Sequence, residues 1–200
     1  SGSTLRFLIP IASLTGQAVT FTGRGRLMER PQSVYEAIYR EQGLRFEQSA
    51  AGLTVEGALT PGSYRLAGNV SSQFISGLLF ALPLLAGDST LHLIPPVESR
   101  SYIDMTRAVQ AAFGVESRWQ DENTLVLPGG QTYHPCDYTV EGDYSQAAFP
   151  AVLGAVCGGV TITGLAPDTL QGDAAILDIL RRCGAVFTRT AEGISFEKAP

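Results

Sequence analysis

One short signature recurs three times in this sequence, and its period constrains the fold more than any single element does. Gln42-Gly43-Leu44-Arg45-Phe46, Phe113-Gly114-Val115-Glu116-Ser117 and Cys183-Gly184-Ala185-Val186-Phe187 lie about seventy residues apart. Each Gly follows a helical pattern and precedes an alternating one, the position of a left-handed helix stop. Upstream of each lies an amphipathic segment: Ser33 to Glu41, Tyr102 to Phe113 and Asp173 to Cys183. Apolar positions such as Ile103, Ala108, Val109 and Ala112, or Ile176, Leu177, Ile179 and Leu180, follow helical spacing. Before each of these helices comes a strand-like run, at 18–23, 90–94 and 160–164. Before each strand comes a more apolar helix opened by Gly and hydroxyl residues, at Gly2-Ser3-Thr4, Ser71-Ser72-Gln73 and Tyr144-Ser145-Gln146. Each unit closes with a hairpin-like pair, such as Val115 to Trp119 and Thr124 to Leu127.

The order helix, strand, helix, strand, strand predicts an α/β (α+β repeat) chain of three units, at 1–67, 68–139 and 140–200. In each, the first helix is expected to be buried and the second half exposed. Two arrangements satisfy the pattern, a single pseudo-threefold globule or two units with the third displaced. The need of each first helix for apolar neighbours favours the single globule.

Composition narrows the partners. The net charge of -5 argues against a general nucleic-acid binder, which needs an excess of cations along a phosphate backbone. Lys198 is the only lysine, so nearly every cation is an arginine, whose planar fork pairs bidentately with carboxylate or phosphate. A GC-rich genome produces the same excess. The three cysteines, Cys136, Cys157 and Cys183, form no C-x-x-C pair, and an odd number makes a poor disulfide framework, which points to a reduced, cytoplasmic setting. Cys157 and Cys183 are expected to behave as small core residues. His92 and His134 are isolated, so no metal site is expected. The apolar run from Phe74 to Gly87 is short for a bilayer and is broken by Pro83. The chain opens on Ser1-Gly2-Ser3-Thr4 without a Met, which reads as a piece excised from a longer protein.

Polar chemistry gathers at the helix starts. Ser71 or Ser72 is a good N-cap, and the helix it opens aims its positive end at whatever binds there, most naturally an oxyanion. Plain capping explains the same residues. Ser145-Gln146 occupies the equivalent slot in the third unit, so capping belongs to the architecture and by itself identifies no site. Arg24, Arg26 and Arg30 cluster between a strand and a helix, with Pro31 placed for the first helical turn. A cation at a helix entrance is unfavourable unless an anion joins it, and surface pairs of Arg30 with Glu29 or Glu36 are the alternative. Arg6 lies in an otherwise apolar helix, and Ser99-Arg100-Ser101-Tyr102 again joins hydroxyls to a cation at a helix start. Together these suit a phosphorylated or polycarboxylate small molecule. No nucleophile–base pair, Walker A loop or G-x-G-x-x-G turn is visible, so the residues lead to an anion-binding α/β repeat protein and not to a reaction.

Six motifs then occur in order: Gly2-Ser3-Thr4-Leu5-Arg6, Met28-Glu29-Arg30-Pro31, Gly68-Asn69-Val70-Ser71-Ser72-Gln73-Phe74, Val97-Glu98-Ser99-Arg100-Ser101-Tyr102-Ile103-Asp104, Val140-Glu141-Gly142-Asp143 and Leu170-Gln171-Gly172-Asp173. Across essentially its whole length the chain resembles the 3-phosphoshikimate 1-carboxyvinyltransferases, also called 5-enolpyruvylshikimate-3-phosphate synthases. The related UDP-N-acetylglucosamine enolpyruvyl transferases share the unit but lack this Ser-Ser-Gln-Phe and Ser-x-x-Tyr combination. The resemblance implies transfer of the enolpyruvyl group of phosphoenolpyruvate to the 5-hydroxyl of shikimate 3-phosphate, with release of phosphate, on the route to aromatic amino acids. It implies no cofactor, and marks a target of glyphosate.

Carried over by motif, Ser71, Ser72 and Ser99 match shikimate-3-phosphate ligands, and Tyr102 lines that pocket. Gln73 matches a residue near both substrates. Arg30 matches a phosphoenolpyruvate-binding arginine, with Gly2 and Arg6 beside it. The family has six such units in two globules that close at a hinge, and this chain resembles the second, third and fourth. The resemblance therefore puts the hinge near 139–142, the general base beyond Pro200, and the remaining units of the parent chain among the partners. No catalytic residue is expected within this chain, which is expected to be inactive alone. The alternative is a non-catalytic anion-binding or structural α/β repeat module.

Overall fold

A computed structural model describes residues 1–190 and 192–198. Two units divide the chain, Ser1–Cys136 and Asp137–Pro200. The first opens with α1 (Gly2–Ala12), β1 (Val19–Phe21), α2 (Ser33–Glu41), β2 (Arg45–Ser49) and β3 (Gly52–Glu56). It continues with β4 (Ser63–Ala67), α3 (Ser72–Ala81), β5 (Ser89–Ile94), α4 (Arg100–Ala112), β6 (Arg118–Trp119) and β7 (Thr124–Leu127). The second holds α5 (Tyr144–Cys157), β8 (Val160–Ile162), α6 (Ala175–Arg182), β9 (Val186–Thr190) and β10 (Gly193–Glu197).

The predicted order of elements is therefore present three times. Gly43, Gly114 and Gly184 have φ of 69°, 81° and 91°, the left-handed stop that the spacing predicts. The sheets repeat as well, β1-β3-β2 matching β8-β10-β9, and β5-β7-β6 lying within a sheet of order β4-β5-β7-β6. Agreement reaches single hydrogen bonds. Thr20 faces Thr54 across β1 and β3 with hydroxyls 2.9 Å apart, and Thr161 faces Ser195 across β8 and β10 at 2.9 Å.

Strand β4 is the element that the sequence pattern leaves out. It pairs in parallel with β5, Ser63 with Thr90 through Ala67 with Ile94, so both strands end at the same edge. The segments that follow are tied together there, Gly68 donating its N–H to Ile94 O at 2.7 Å and Glu98 its N–H to Gly68 O at 2.9 Å. A Cβ on Gly68 would lie 2.9 Å from the carbonyl oxygens of both Ile94 and Pro96, so only Gly allows this approach. One segment leads into α3 and the other into α4, which brings the starts of those helices to one edge.

Helices α1 and α3 pack side by side in the core of the first unit, burying Leu5, Ile9, Ile75, Leu78 and Leu79 among Tyr35, Ile38 and Tyr39 of α2 and the inner faces of the strands. Gly77 permits the contact, because a Cβ there would lie 2.2 Å from the Tyr35 hydroxyl and 2.5 Å from Arg6 O. Helix α4 differs from its predicted stripe. It buries Ile103, Thr106 and Gln110, with Thr106 bonded to Ser76 at 2.8 Å and Gln110 Nε2 to Leu79 O at 2.7 Å. The Thr106 hydroxyl and the Gln110 Nε2 are buried because each finds a partner on α3, while Gln110 Oε1 has none among the described residues.

Helix α5 is buried on one side only. Its inward stripe is small, Ala147, Ala151, Gly154 and Ala155, and a Cβ on Gly154 would lie 2.7 Å from Phe196 Cβ. Phe149, Val152, Leu153 and Val156 are exposed, with Phe149 at 75%, against the expectation of a wholly buried first helix. Close backbone approach to the sheet needs the small residues on that face and leaves the large ones outside. Cys157 and Cys183 are also exposed rather than in the core, because they fall at the ends of α5 and α6, past the last buried turn. Among the described residues no helix is long and apolar enough to cross a membrane.

Tyr39, fully buried, places its hydroxyl 3.1 Å from Ile9 O and against Ser13 Oγ. Burial pushes its pKa up to about 12 from the ordinary 10.0. The folded pKa lies above the unfolded one, so the contribution of the neutral phenol is complete below pH 10 and disappears as pH rises from about 10 to about 12. Burial raises Tyr35, Tyr64 and Tyr133 as well, so unfolding free energy from urea titrations should fall steeply over that window, and about 2–3 kcal/mol of the fall should disappear in Tyr39→Phe. A constant stability from pH 10 to 12 contradicts this.

Candidate functional site

The predicted residues fall into two groups joined at the start of α3. In the first, Arg6 reaches from α1 to α3, donating Nη1–H to Gln73 Oε1 at 3.0 Å, with its guanidinium 4.3 Å from the centre of the Phe74 ring. Arg30 lies over the start of α1, since a Cβ on Gly2 would stand 2.6 Å from Arg30 Nη1. Gly2, Arg6, Arg30 and Gln73 thus come together from a helix start, a helix interior, a loop and a second helix start.

The loop that carries Arg30 is fixed from below. Met28 is buried, and Gln48 on β2 donates to Met28 O at 2.6 Å and Arg30 O at 2.8 Å. Helix α2 begins at Ser33, two residues later than the Pro31 reading, so Arg30 belongs to the loop. The surface pairs proposed for it do not form, because Glu29 takes Arg26 at 3.4 Å and Glu36 takes Arg40 at 2.7 Å. Arg24 is exposed and Arg26 is committed to Glu29, which leaves Arg30 as the arginine of that loop set beside Gly2.

Electrostatics favours an anion at this cluster. Burial lowers the pKa of Arg6, Tyr35 offsets part of that, and the like charge of Arg30 lowers it further. Arg6 Nε is buried without a hydrogen-bond partner among the described residues. An unpartnered buried donor on a cation is costly, and an oxyanion at the guanidinium would offset both that cost and the repulsion between Arg6 and Arg30. The helix ends agree. Neither α1 nor α3 has an acid in its first turn, Ser1 makes no side-chain cap bond, and Ser71 caps α3 through a long 3.4 Å bond from Gln73 N–H. In α5 the cap is Asp143, not the Ser145-Gln146 pair. Its carboxylate accepts from Ser145 Oγ at 2.6 Å and from the N–H groups of Ser145 and Gln146 at 2.8 and 3.3 Å. The Ser145 hydroxyl and those two N–H groups hold the Asp143 carboxyl below the usual carboxylate range. The positive end of α5 is therefore neutralised internally, while the ends of α1 and α3 are open.

The second group is Ser71, Ser72, Ser99 and Tyr102, brought to one edge by β4 and β5. Ser71 and Ser99 are exposed, Ser72 and Tyr102 half-buried. Ser99 has φ 55° and ψ 35°, unusual for a residue with a Cβ, and its side chain does not cap α4. Arg100 leaves this group. It donates to Glu122 O at 2.8 Å and stacks 3.9 Å from the centre of the Trp119 ring, whose Nε1–H donates to Asp104 at 2.7 Å. The cation that sequence placed among the donors thus ties α4 to the β6–β7 hairpin.

A surface cavity of about 390 Å³ is lined by Met28, Pro31, Phe46 and Gln48 but carries Glu29 and Glu36, the wrong sign for an anion. A cavity of about 290 Å³ lies against Arg26, Glu29, Arg30 and Pro31.

Sequence reading missed two residues beside the site. Tyr35 is one, described below. Gln32 is the other, 2% exposed with both carboxamide atoms lacking a partner among the described residues. Nothing in a polar residue before a helix signals that burial. Replacing it with an apolar side chain of similar volume removes an unsatisfied group, so Gln32→Met should raise unfolding free energy in urea by about 1–2 kcal/mol. A loss of stability would mean that the carboxamide is satisfied in solution.

Comparison with known proteins agrees with this architecture. The sequence model of EPSP synthase (3-phosphoshikimate 1-carboxyvinyltransferase) matches residues 1–199. The 3-phosphoshikimate 1-carboxyvinyltransferase of Clostridium kluyveri is 47% identical over 186 residues, 92% of this chain and 44% of that protein. That of Clostridium beijerinckii is 43% identical over 196 residues, 97% of this chain and 45% of that protein. The chain thus spans less than half the length of these relatives. The structure of EPSP synthase from Acinetobacter baumannii matches with a TM-score of 0.74 at 24% identity, over 98% of this chain and 45% of that one. The enolpyruvyl transferase NikO from Streptomyces tendae matches with a TM-score of 0.69 at 16% identity, over 96% of this chain and 46% of that one. Both structures bear on the fold alone. With the family model matched along residues 1–199 and a relative 47% identical across 92% of the chain, this chain belongs to the EPSP synthase (3-phosphoshikimate 1-carboxyvinyltransferase) family.

Proposed function

We propose that this chain carries the shikimate-3-phosphate side, and part of the phosphoenolpyruvate side, of a cytoplasmic enolpyruvyl transferase. The reaction moves the enolpyruvyl group of phosphoenolpyruvate to the 5-hydroxyl of shikimate 3-phosphate and releases phosphate. Ser71, Ser72 and Ser99 bind the 3-phosphate and Tyr102 lines that pocket. Gln73 faces both substrates. Arg6 and Arg30, with Gly2 leaving room beside them, bind phosphoenolpyruvate, and glyphosate acts at the same enzyme. The observation that carries this reading is the convergence of Arg6, Arg30 and Gln73, with the buried Arg6 Nε left unpartnered, beside open helix ends in a chain of this family.

Two anionic substrates repel each other, so a site that holds both needs fixed cations and oriented N–H groups, which these helix starts provide. Units at 1–67, 68–139 and 140–200, with a hinge near 139–142, would let the remaining units of the parent chain close over the ligands and supply the general base. The chain alone should bind without turning over.

Calorimetry of the 1–200 chain tests this. Shikimate 3-phosphate should bind at about millimolar affinity or tighter. The pair Ser71→Ala and Ser72→Ala should abolish that binding while lowering stability by only about 1 kcal/mol, the value of a lost cap. No binding by the parent chain overturns the site and leaves a structural repeat module. Detectable turnover with both substrates overturns the division of the site between this chain and the rest.

A further inference from the structure

Helix α1 contains a proline, Pro10, in its third turn. A proline has no N–H, so the carbonyl four residues earlier loses its helical donor. That carbonyl belongs to Arg6, the residue that reaches Gln73. It is turned toward α3, where a Cβ on Gly77 would lie 2.5 Å from it. A buried carbonyl left without a donor is unfavourable, so one has to come from elsewhere.

Tyr35, fully buried on α2, places its hydroxyl 2.8 Å from Arg6 O and 3.0 Å from Phe74 O. One hydroxyl carries one proton. Phe74 O has Leu78 N–H at the helical position four residues on, whereas Arg6 O has only the Pro10 nitrogen. The proton therefore belongs on Arg6 O. The hydroxyl occupies the space that the missing side chain of Gly77 leaves open, 2.2 Å from where its Cβ would be. Pro10, Tyr35 and Gly77 lie far apart in sequence, yet all three are explained by the same oxygen.

We propose that the Tyr35 hydroxyl replaces the N–H that Pro10 lacks and thereby acts as a positioning residue for Arg6 and Gln73. Its contact spans the two helices at the residues next to their functional side chains, Arg6 itself on α1 and Phe74, adjacent to Gln73, on α3. Fixing these two backbones fixes the 3.0 Å bond between Arg6 and Gln73 and the placement of the Arg6 guanidinium over Phe74. The consequence for ligand binding rests on the phosphoenolpyruvate reading given above; the consequence for Arg6 does not.

A double-mutant cycle separates positioning from packing. Tyr35→Phe removes only the hydroxyl and keeps the ring, which packs edge-on to Phe74 at 5.0 Å between centroids. Pro10→Ala restores an N–H opposite Arg6 O. Two readouts apply to the 1–200 chain: the Arg6 Nε–H resonance in ¹H–¹⁵N spectra without ligand, and phosphoenolpyruvate affinity by calorimetry. Tyr35→Phe alone should shift or broaden the Arg6 resonance and weaken phosphoenolpyruvate about three- to tenfold. In the Pro10→Ala background the same substitution should move neither, because the helical bond has taken over. A merely structural tyrosine would act equally in both backgrounds, and that result overturns the proposal, as does an unmoved Arg6 resonance in Tyr35→Phe. If the parent chain binds no phosphoenolpyruvate, the site reading fails, while the resonance cycle still decides the positioning role.

Discussion

Gly77→Ala should destabilise the first unit by about 3 kcal/mol, although alanine is the better helix former. Propensity alone favours alanine over glycine in a helix interior by about 1 kcal/mol. The contacts reverse the sign. The added Cβ would meet the Tyr35 hydroxyl at 2.2 Å and the Arg6 carbonyl at 2.5 Å, and the second is backbone that has no rotamer to change. Helix α3 has no room to retreat, since Ile75, Leu78, Leu79 and Ala81 are all fully buried. Overpacking of this kind costs up to about 3 kcal/mol, and losing the Tyr35 bond adds to it. Urea unfolding of the wild type and the variant measures the difference. A stabilisation near the propensity value would show that α1 and α3 separate freely, and the positioning argument for Arg6 would fall with the close contact.

Arg6→Gln should act in the opposite way, weakening ligand far more than it affects folding. A charge-assisted contact to an anion contributes about 1.5–3 kcal/mol, so phosphoenolpyruvate affinity should fall about ten- to a hundredfold. Folding should change by less than about 1 kcal/mol, because losing the contact with Phe74 is offset by relief of the repulsion with Arg30 and of the unpartnered Nε. Arg6→Lys should not rescue binding. A single ammonium lacks the fork that holds Gln73 with one nitrogen while leaving others for the anion. Comparing calorimetry with urea unfolding for both variants checks this, and equal losses of affinity and stability would assign Arg6 to the core rather than to a site.

Much of this architecture is legible in the sequence because the repeat supplies its own controls. Helix α2 covers the amphipathic segment Ser33–Glu41, without the turn that Pro31 suggested, and the three stopping glycines have the predicted conformation, since helix and strand periods meet there without competing signals. Burial was harder to read. Apolar spacing marks Ala108, Val109 and Ala112, but α4 turns Thr106 and Gln110 inward because α3 offers them Ser76 and Leu79 O, and such partners are invisible to a periodicity. In the site, Arg6, Arg30 and Gln73 are visible by type and motif. The device beneath them is half visible. Pro10 in an apolar helix announces that the Arg6 carbonyl needs a donor, yet nothing local says that Tyr35, on another helix, provides it. Arg100 shows the converse, a cation in a suggestive motif whose real partner, Trp119, lies across a hairpin.

Strand β4 sets a rule for dividing this chain. Counted by sequence period, residues 63–67 complete the first repeat; counted by hydrogen bonds, they are an edge of the second sheet. The duplicated stretch and the piece that can be moved intact are therefore out of phase by one strand. A graft of the second repeat that starts at Gly68 would carry Ser71 and Ser99 but not the parallel partner that delivers them to one edge. Starting it at Gly62, whose carbonyl accepts from Thr90 N–H at 2.9 Å, takes that partner along.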